Sequence, residues 1–146
     1  MLIGSYSGIL SPKRRTAIPK RFLDELGKKV IIAKWYEGCL VIVGTDAWEA
    51  LLDRLSGRIG LITGPVRDTE RFILGSAYEL IPDRQGRVVI PTRLVAYAAL
   101  TQEIVFIGLG ERVEIWGLEK WAEREKFVAA HAAEFIEKLA QKNDKR

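Results

Sequence analysis

The side chains best placed to do chemistry are five cations in two short phrases. Lys13, Arg14 and Arg15 fall in residues 9–19, ILSPKRRTAIP, and Arg84 and Arg87 in residues 78–91, YELIPDRQGRVVIP. An arginine fork donates two parallel N–H bonds, which suits guanine O6/N7, and clustered Lys and Arg suit phosphate. Asp83 has a structural reading beside this one. Its carboxylate can cap the turn 83–86 and pair with Arg87 four residues on. Were Arg15 and Arg87 both turn clamps, Lys13, Arg14 and Arg84 would still leave unpaired charge at the two tips.

Other chemistry is thin. The one histidine, His131, has no cysteine or second histidine near it to make a metal site, and it reads as structural. No nucleophile–base pair, paired carboxylates or phosphate-binding glycine loop is present; Gly57, Gly60 and Gly64 lack the flanking strand and the Lys-Ser/Thr. Cys39 lies in the apolar run CLVIV and reads as a small buried hydrophobe. The chain is therefore not expected to be an enzyme, and neither a metal nor another cofactor is expected.

The elements that carry the cations follow from local signals. Residues 2–10 read as a strand, Ser11 and Pro12 open a turn, and residues 15–18 form a return arm. Pro19 opens a short helix that ends at Gly27. Residues 30–35 and 39–43 read as a hairpin around Tyr36-Glu37-Gly38. Asp46 and Glu49 have capping-box spacing and open a helix carrying Trp48, Leu51, Leu52 and Leu55. Residues 56–64 form a break with three glycines, and Pro65 begins a further helix to about Gly75. The plan then repeats: a hairpin over 77–90 with its turn at Asp83-Arg84-Gln85-Gly86, a short helix over 91–99, and strands over 104–109 and 112–116. A last helix runs from Leu118 to about residue 142, with Trp121, Val128, Ala132, Phe135, Ile136 and Leu139 on its apolar face. That face should pack on a protein surface; the final residues NDKR should fray.

The repetition has a nearly fixed offset, with about one residue inserted between the two sets of matches. Arg15, Pro19 and Arg21 match Arg87, Pro91 and Arg93 at 72 residues, and Gly44 and Trp48 match Gly117 and Trp121 at 73. Such an offset marks an internal repeat, two small copies sharing one core. The expected division is a first repeat over 1–56, a linker over 57–76, a second repeat over 77–122 and a C-terminal helical extension over 123–146.

At 146 residues the chain has room for one well-buried domain or two small interlocked ones. The net charge of +4 is unevenly spread: residues 1–30 hold seven basic side chains against two acidic ones. That is the electrostatic footprint of an anionic partner. No apolar run approaches the roughly 18 residues of a membrane span, and no signal peptide is expected. A lone cysteine excludes an internal disulfide and fits a reducing cytoplasm.

The phrase Asp83-x-x-x-Arg87-Val-Val-Ile-Pro91, preceded by a version of itself near the N-terminus, resembles the MraZ family of the AbrB/SpoVT-like swapped-hairpin superfamily. The stretch from Arg71 to Ala77, the tryptophan after each matching glycine and the length agree with it. The resemblance covers nearly the whole chain and weakens after about residue 125. It implies an α+β fold: two tandem AbrB-like repeats forming a pseudo-two-fold β-barrel, with short helices and a C-terminal helix. It also implies a DNA-binding transcriptional regulator of the division and cell-wall gene cluster. Such a regulator would be cytoplasmic and nucleoid-associated, acting as a homo-oligomeric ring on short G-rich direct repeats in double-stranded DNA. No membrane or small-molecule partner is implied. Arg15 and Arg87 are the motif arginines, with Lys13, Arg14 and Arg84 expected on phosphates and Asp83 as the motif aspartate.

One departure stands out. Repeat one has Ser11 at the aspartate position and Arg14 where repeat two has Gly86. Serine makes a weaker side-chain turn, so the turn should survive while Arg15 loses a local partner. Repeat one is then expected to bind phosphate more strongly and to read a different sequence. The competing expectation is a ring-forming scaffold or antitoxin-like module that uses the C-terminal helix to bind protein, without DNA.

Overall fold

The structure, a computed structural model, describes residues 1–56 and 63–144. Eight strands and five α-helices alternate along it. They run β1 (Leu2–Ile9), β2 (Arg15–Ala17), α1 (Lys20–Leu26), β3 (Val30–Lys34), β4 (Leu40–Gly44), α2 (Thr45–Ser56), α3 (Gly64–Ile73), β5 (Tyr78–Leu80), β6 (Arg87–Val89), α4 (Thr92–Tyr97), β7 (Glu103–Gly110), β8 (Val113–Gly117) and α5 (Leu118–Asp144). Prolines 19 and 91 precede α1 and α4, and Gly27 ends α1 at φ 91°, a conformation that favours glycine. The expected break over 56–64 falls largely outside the described residues.

All strand pairs are antiparallel. Six strands form one sheet in the order β1-β7-β8-β4-β3-β5, and β2 and β6 form a separate two-stranded ribbon. The hairpins expected within 2–18 and 77–90 do not close on themselves. Instead β5 pairs with β3, β1 with β7, and β2 with β6. Each return arm finds its partner in the other half of the chain. The registers repeat this exchange: Arg15 faces Val89 while Arg87 faces Ala17, and Leu40 faces Ile115 while Ile42 faces Val113. In place of the expected closed barrel there is an open sheet; among the described residues no ladder joins its edge strands β1 and β5.

The central strands β3, β4, β7 and β8 are buried on both faces, which explains the unbroken apolar runs in β3 and β4. Val30, Ile32, Leu40 and Ile42 pack on one side with Phe22, Leu94 and the inward ribbon residues near Val88. Ile31, Ala33, Val41 and Val43 pack on the other with Trp48, Leu51, Ile73 and Trp116. Each fully buried aliphatic or phenyl side chain contributes about 1.5–3 kcal/mol, so the shared core holds both halves in place. The helix α5 only begins on this core: Trp121 lies 5.4 Å from Trp116, centroid to centroid. Beyond it the expected packing face is open within this chain, with Ile136 and Leu139 exposed at 67% and 64%.

Candidate nucleic-acid interface

The two turns before the ribbon strands are built alike. In the first, the Arg14 N–H donates to Ser11 O and the Ser11 N–H to Arg15 O, both at 2.9 Å. In the second, the Gly86 N–H donates to Asp83 O at 2.9 Å and the Asp83 N–H to Arg87 O at 3.0 Å. The turns are then stitched across the halves. The Ile18 N–H donates to Gly86 O, and the Ile90 N–H to Arg14 O, at 2.9 and 2.8 Å. Both turns need a left-handed residue before the motif arginine, Gly86 at φ 76° and Arg14 at φ 64°. Glycine takes that conformation freely, whereas an L side chain costs roughly 1–2 kcal/mol there.

The side chains differ where the sequences differ. Asp83 Oδ1 accepts the N–H groups of Gln85 and Arg87 at 2.9 Å each, and Oδ2 accepts Arg87 Nε at 2.8 Å. These bonds, the Arg87 backbone N–H foremost, hold the Asp83 carboxyl below its usual value of 3.8. Ser11 Oγ reproduces only the backbone part, accepting the Arg15 N–H at 3.1 Å. Among the described residues the Arg15 guanidinium has no partner, as the serine predicts. Arg14, expected on phosphate, is partly occupied otherwise: its Nε donates to Ile90 O at 3.0 Å and so braces the ribbon from the opposite half. Sequence reasoning missed that role, because Ile90 lies 76 residues away.

Pleating sets the direction of the two motif arginines. Thr16 and Val88 point inward and are buried; Arg15, Ala17, Arg87 and Val89 point outward and are exposed. Arg15 and Arg87 therefore share the solvent face of one ribbon. They are diagonal neighbours across the strand pair, a spacing of about 7–8 Å. Lys13 and Arg84 are exposed within the turns at either end. All five expected cations thus belong to one ribbon and its two turns. The only acidic group within the two turns, Asp83, is already tied to Arg87. Such a surface is basic and two-stranded, with two arginine forks side by side, one tethered and one free.

Relatives resemble this chain in sequence along most of its length. A family model described as "MraZ protein, putative antitoxin-like" matches residues 73–146. The transcriptional regulator MraZ of Clostridium acetobutylicum is 39% identical over 123 residues, covering 84% of this chain and 86% of the relative. That of Clostridium beijerinckii is 42% identical over the same share of each chain. That of Pelotomaculum thermopropionicum is 36% identical over 143 residues, 98% of both. The chain belongs to the MraZ family.

Proposed function

We propose that this protein is a sequence-specific DNA-binding transcriptional regulator. The observation that carries the reading is the ribbon, which presents Arg15 and Arg87 on one exposed face between two basic turns. A two-stranded ribbon fits the roughly 12 Å major groove, and arginine to guanine O6/N7 is the commonest specific contact there. Arg15 and Arg87 read base edges; Lys13, Arg84 and the remaining N–H groups of Arg14 hold phosphates. The relatives' shared name, transcriptional regulator MraZ, supports the same class. In this reading the two halves are AbrB-like repeats, over 1–56 and 77–122, joined by a linker over 57–76 and followed by a helical extension over 123–146. No step of this role is catalytic.

One ribbon makes few contacts, so useful affinity requires several subunits on repeated sites. We therefore read the working form as a closed homo-oligomeric ring on short direct repeats upstream of the division and cell-wall gene cluster, since heterologous interfaces that close make rings. The open apolar face of α5 supports self-association. The same face favours a second reading, a scaffold or antitoxin-like module docking another protein without DNA.

Gel-shift binding to the DNA upstream of the protein's own gene separates the two. Wild type and Arg15→Ala are compared at low and high salt. The regulator reading expects specific binding that falls steeply with salt and weakens about 5- to 150-fold in the variant, the value of one bidentate contact at 1–3 kcal/mol. A folded oligomer that leaves this DNA unbound at low salt would sink that reading in favour of the scaffold.

A further inference from the structure

A small cavity of about 110 Å³ opens where the end of β3, the turn after α3 and the start of α4 meet. Three cationic side chains line it, Lys34, Arg71 and Arg93, together with Phe72, Ser76 and Tyr78. One wall is held by Ser76. Ser76 Oγ accepts the Lys34 backbone N–H at 2.9 Å and donates to Ile73 O at 3.0 Å. Arg71 pairs with Asp68 at 2.8 Å, which leaves its other N–H donors available. Among the described residues neither Lys34 nor Arg93 has an acidic partner; the Lys34 amino group instead lies 5.2 Å over the Tyr97 ring. Lys34 and Arg93, both without an acidic partner among the described residues, leave net positive charge around one small space beside the Asp68-paired Arg71, and an anion between them offsets it.

The other half of the chain supplies an internal comparison. By the repeat registers Arg21 stands where Arg93 does and Tyr6 where Tyr78 does, but Gly108 replaces Lys34 and Gly4 replaces Ser76. There Arg21 Nη1 donates to Tyr6 OH at 3.4 Å. The cluster of three cations is thus particular to one half, and general surface basicity does not account for it. Size narrows the ligand. At about 30 Å³ per water molecule the cavity holds a few waters' worth of volume. It is well short of the roughly 300 Å³ at which pockets for drug-sized ligands begin. A tetrahedral oxyanion fits; a nucleoside does not.

We propose that this cavity is a phosphate-type oxyanion site, held by Lys34, Arg71 and Arg93 and independent of the ribbon. Its occupant is a free phosphate ion or a phosphodiester of bound nucleic acid. Either one ties β3, α3 and α4 together, and α4 follows directly on the ribbon strand that carries Arg87.

The test is thermal unfolding and calorimetric titration of the full chain with sodium phosphate, against sodium chloride at matched ionic strength. Five proteins are compared: wild type, Arg93→Gln, Arg93→Lys, Lys34→Gln and the double variant Arg15→Gln/Arg87→Gln. Wild type should bind phosphate saturably and melt higher in it than in chloride. Arg93→Gln and Lys34→Gln should each weaken binding about tenfold or more, and the ribbon double variant should bind as wild type does. Arg93→Lys, which keeps the charge, should retain most of the binding and guards against a fold defect in Arg93→Gln. Phosphate acting no differently from chloride would overturn the site, and so would cavity variants that bind unchanged. The DNA salt dependence assigns the occupant. A slope reduced by about one in Arg93→Gln identifies a backbone phosphodiester; an unchanged slope in that variant, beside saturable phosphate binding by wild type, identifies the free ion. Because the phosphate titration needs no DNA, it decides the site whether or not the ribbon binds DNA.

Discussion

Ser11→Asp should move stability and DNA binding in opposite directions. The turn already has the required geometry, since Ser11 Oγ accepts the same backbone N–H that Asp83 Oδ1 accepts in the second turn. A carboxylate at position 11 would reach Arg15 Nε as Asp83 reaches Arg87, through an exposed pair four residues apart. Exposed pairs of this kind contribute about 0.2–1 kcal/mol. For a domain of this size that is a rise in Tm of roughly 0.5–4 °C. Binding should suffer, because the one free motif guanidinium becomes tethered. Losing the bidentate base contact of Arg15 costs about 1–3 kcal/mol, roughly 5- to 150-fold in affinity, per engaged subunit. The assays are a melting curve and gel-shift titrations at three or more salt concentrations. A variant that gains stability yet keeps wild-type affinity would show that Arg15 makes no base contact. One that loses affinity without gaining stability would show that the introduced carboxylate does not form the clamp.

Three other expectations come from single groups. Thr16 is buried, and among the described residues its Oγ1 makes no hydrogen bond. Thr16→Val, which copies Val88 across the ribbon, should therefore stabilise the protein by about 1 kcal/mol or more, and a lowered Tm in the same melting assay would contradict it. A Cβ on Gly108 would lie 2.7 Å from the backbone of Leu2 and Ile3, while one on Gly75 would meet nothing within 4 Å. Gly108→Ala should cost about 1–3 kcal/mol as overpacking does, with Gly75→Ala the milder control in denaturant titrations. Asp83 has a folded-state pKa below its usual 3.8, so its bonds stabilise the fold above that value and are lost as pH falls through the lowered one. The acid side of the stability–pH profile should flatten in Asp83→Asn, and an unchanged profile would remove Asp83 from the account.

Local order was legible because the chain punctuates itself. Pro19, Gly27, Gly86 and Pro91 stand at element ends, and the nearly constant offset ties the two halves together from sequence alone. Strand partners were not legible. The runs at 78–81 and 87–90 have strand composition on either side of a turn, which suggests a hairpin; composition states that a segment is extended and leaves its neighbour open. The partner was decided by packing, since closing each hairpin locally would remove the stitches from Arg14 and Gly86 to the opposite half. The candidate cations were legible by type. Their convergence on one face was not, because it depends on that exchange. The Arg14 brace and the grouping of Lys34, Arg71 and Arg93 were hidden for the same reason: each spans dozens of residues.

The exchanged ladders have a self-complementary register. If the halves were identical, a chain carrying one half alone would offer both members of every such pair, and two copies would satisfy them as a homodimer. Joining the copies into one gene removes the requirement that they match. A substitution then falls on one side only, as it has at Ser11 against Asp83 and at Arg14 against Gly86. One chain carrying both halves can so keep a symmetric scaffold while its two turns differ, one arginine tethered to Asp83 and the other, among the described residues, without a side-chain partner.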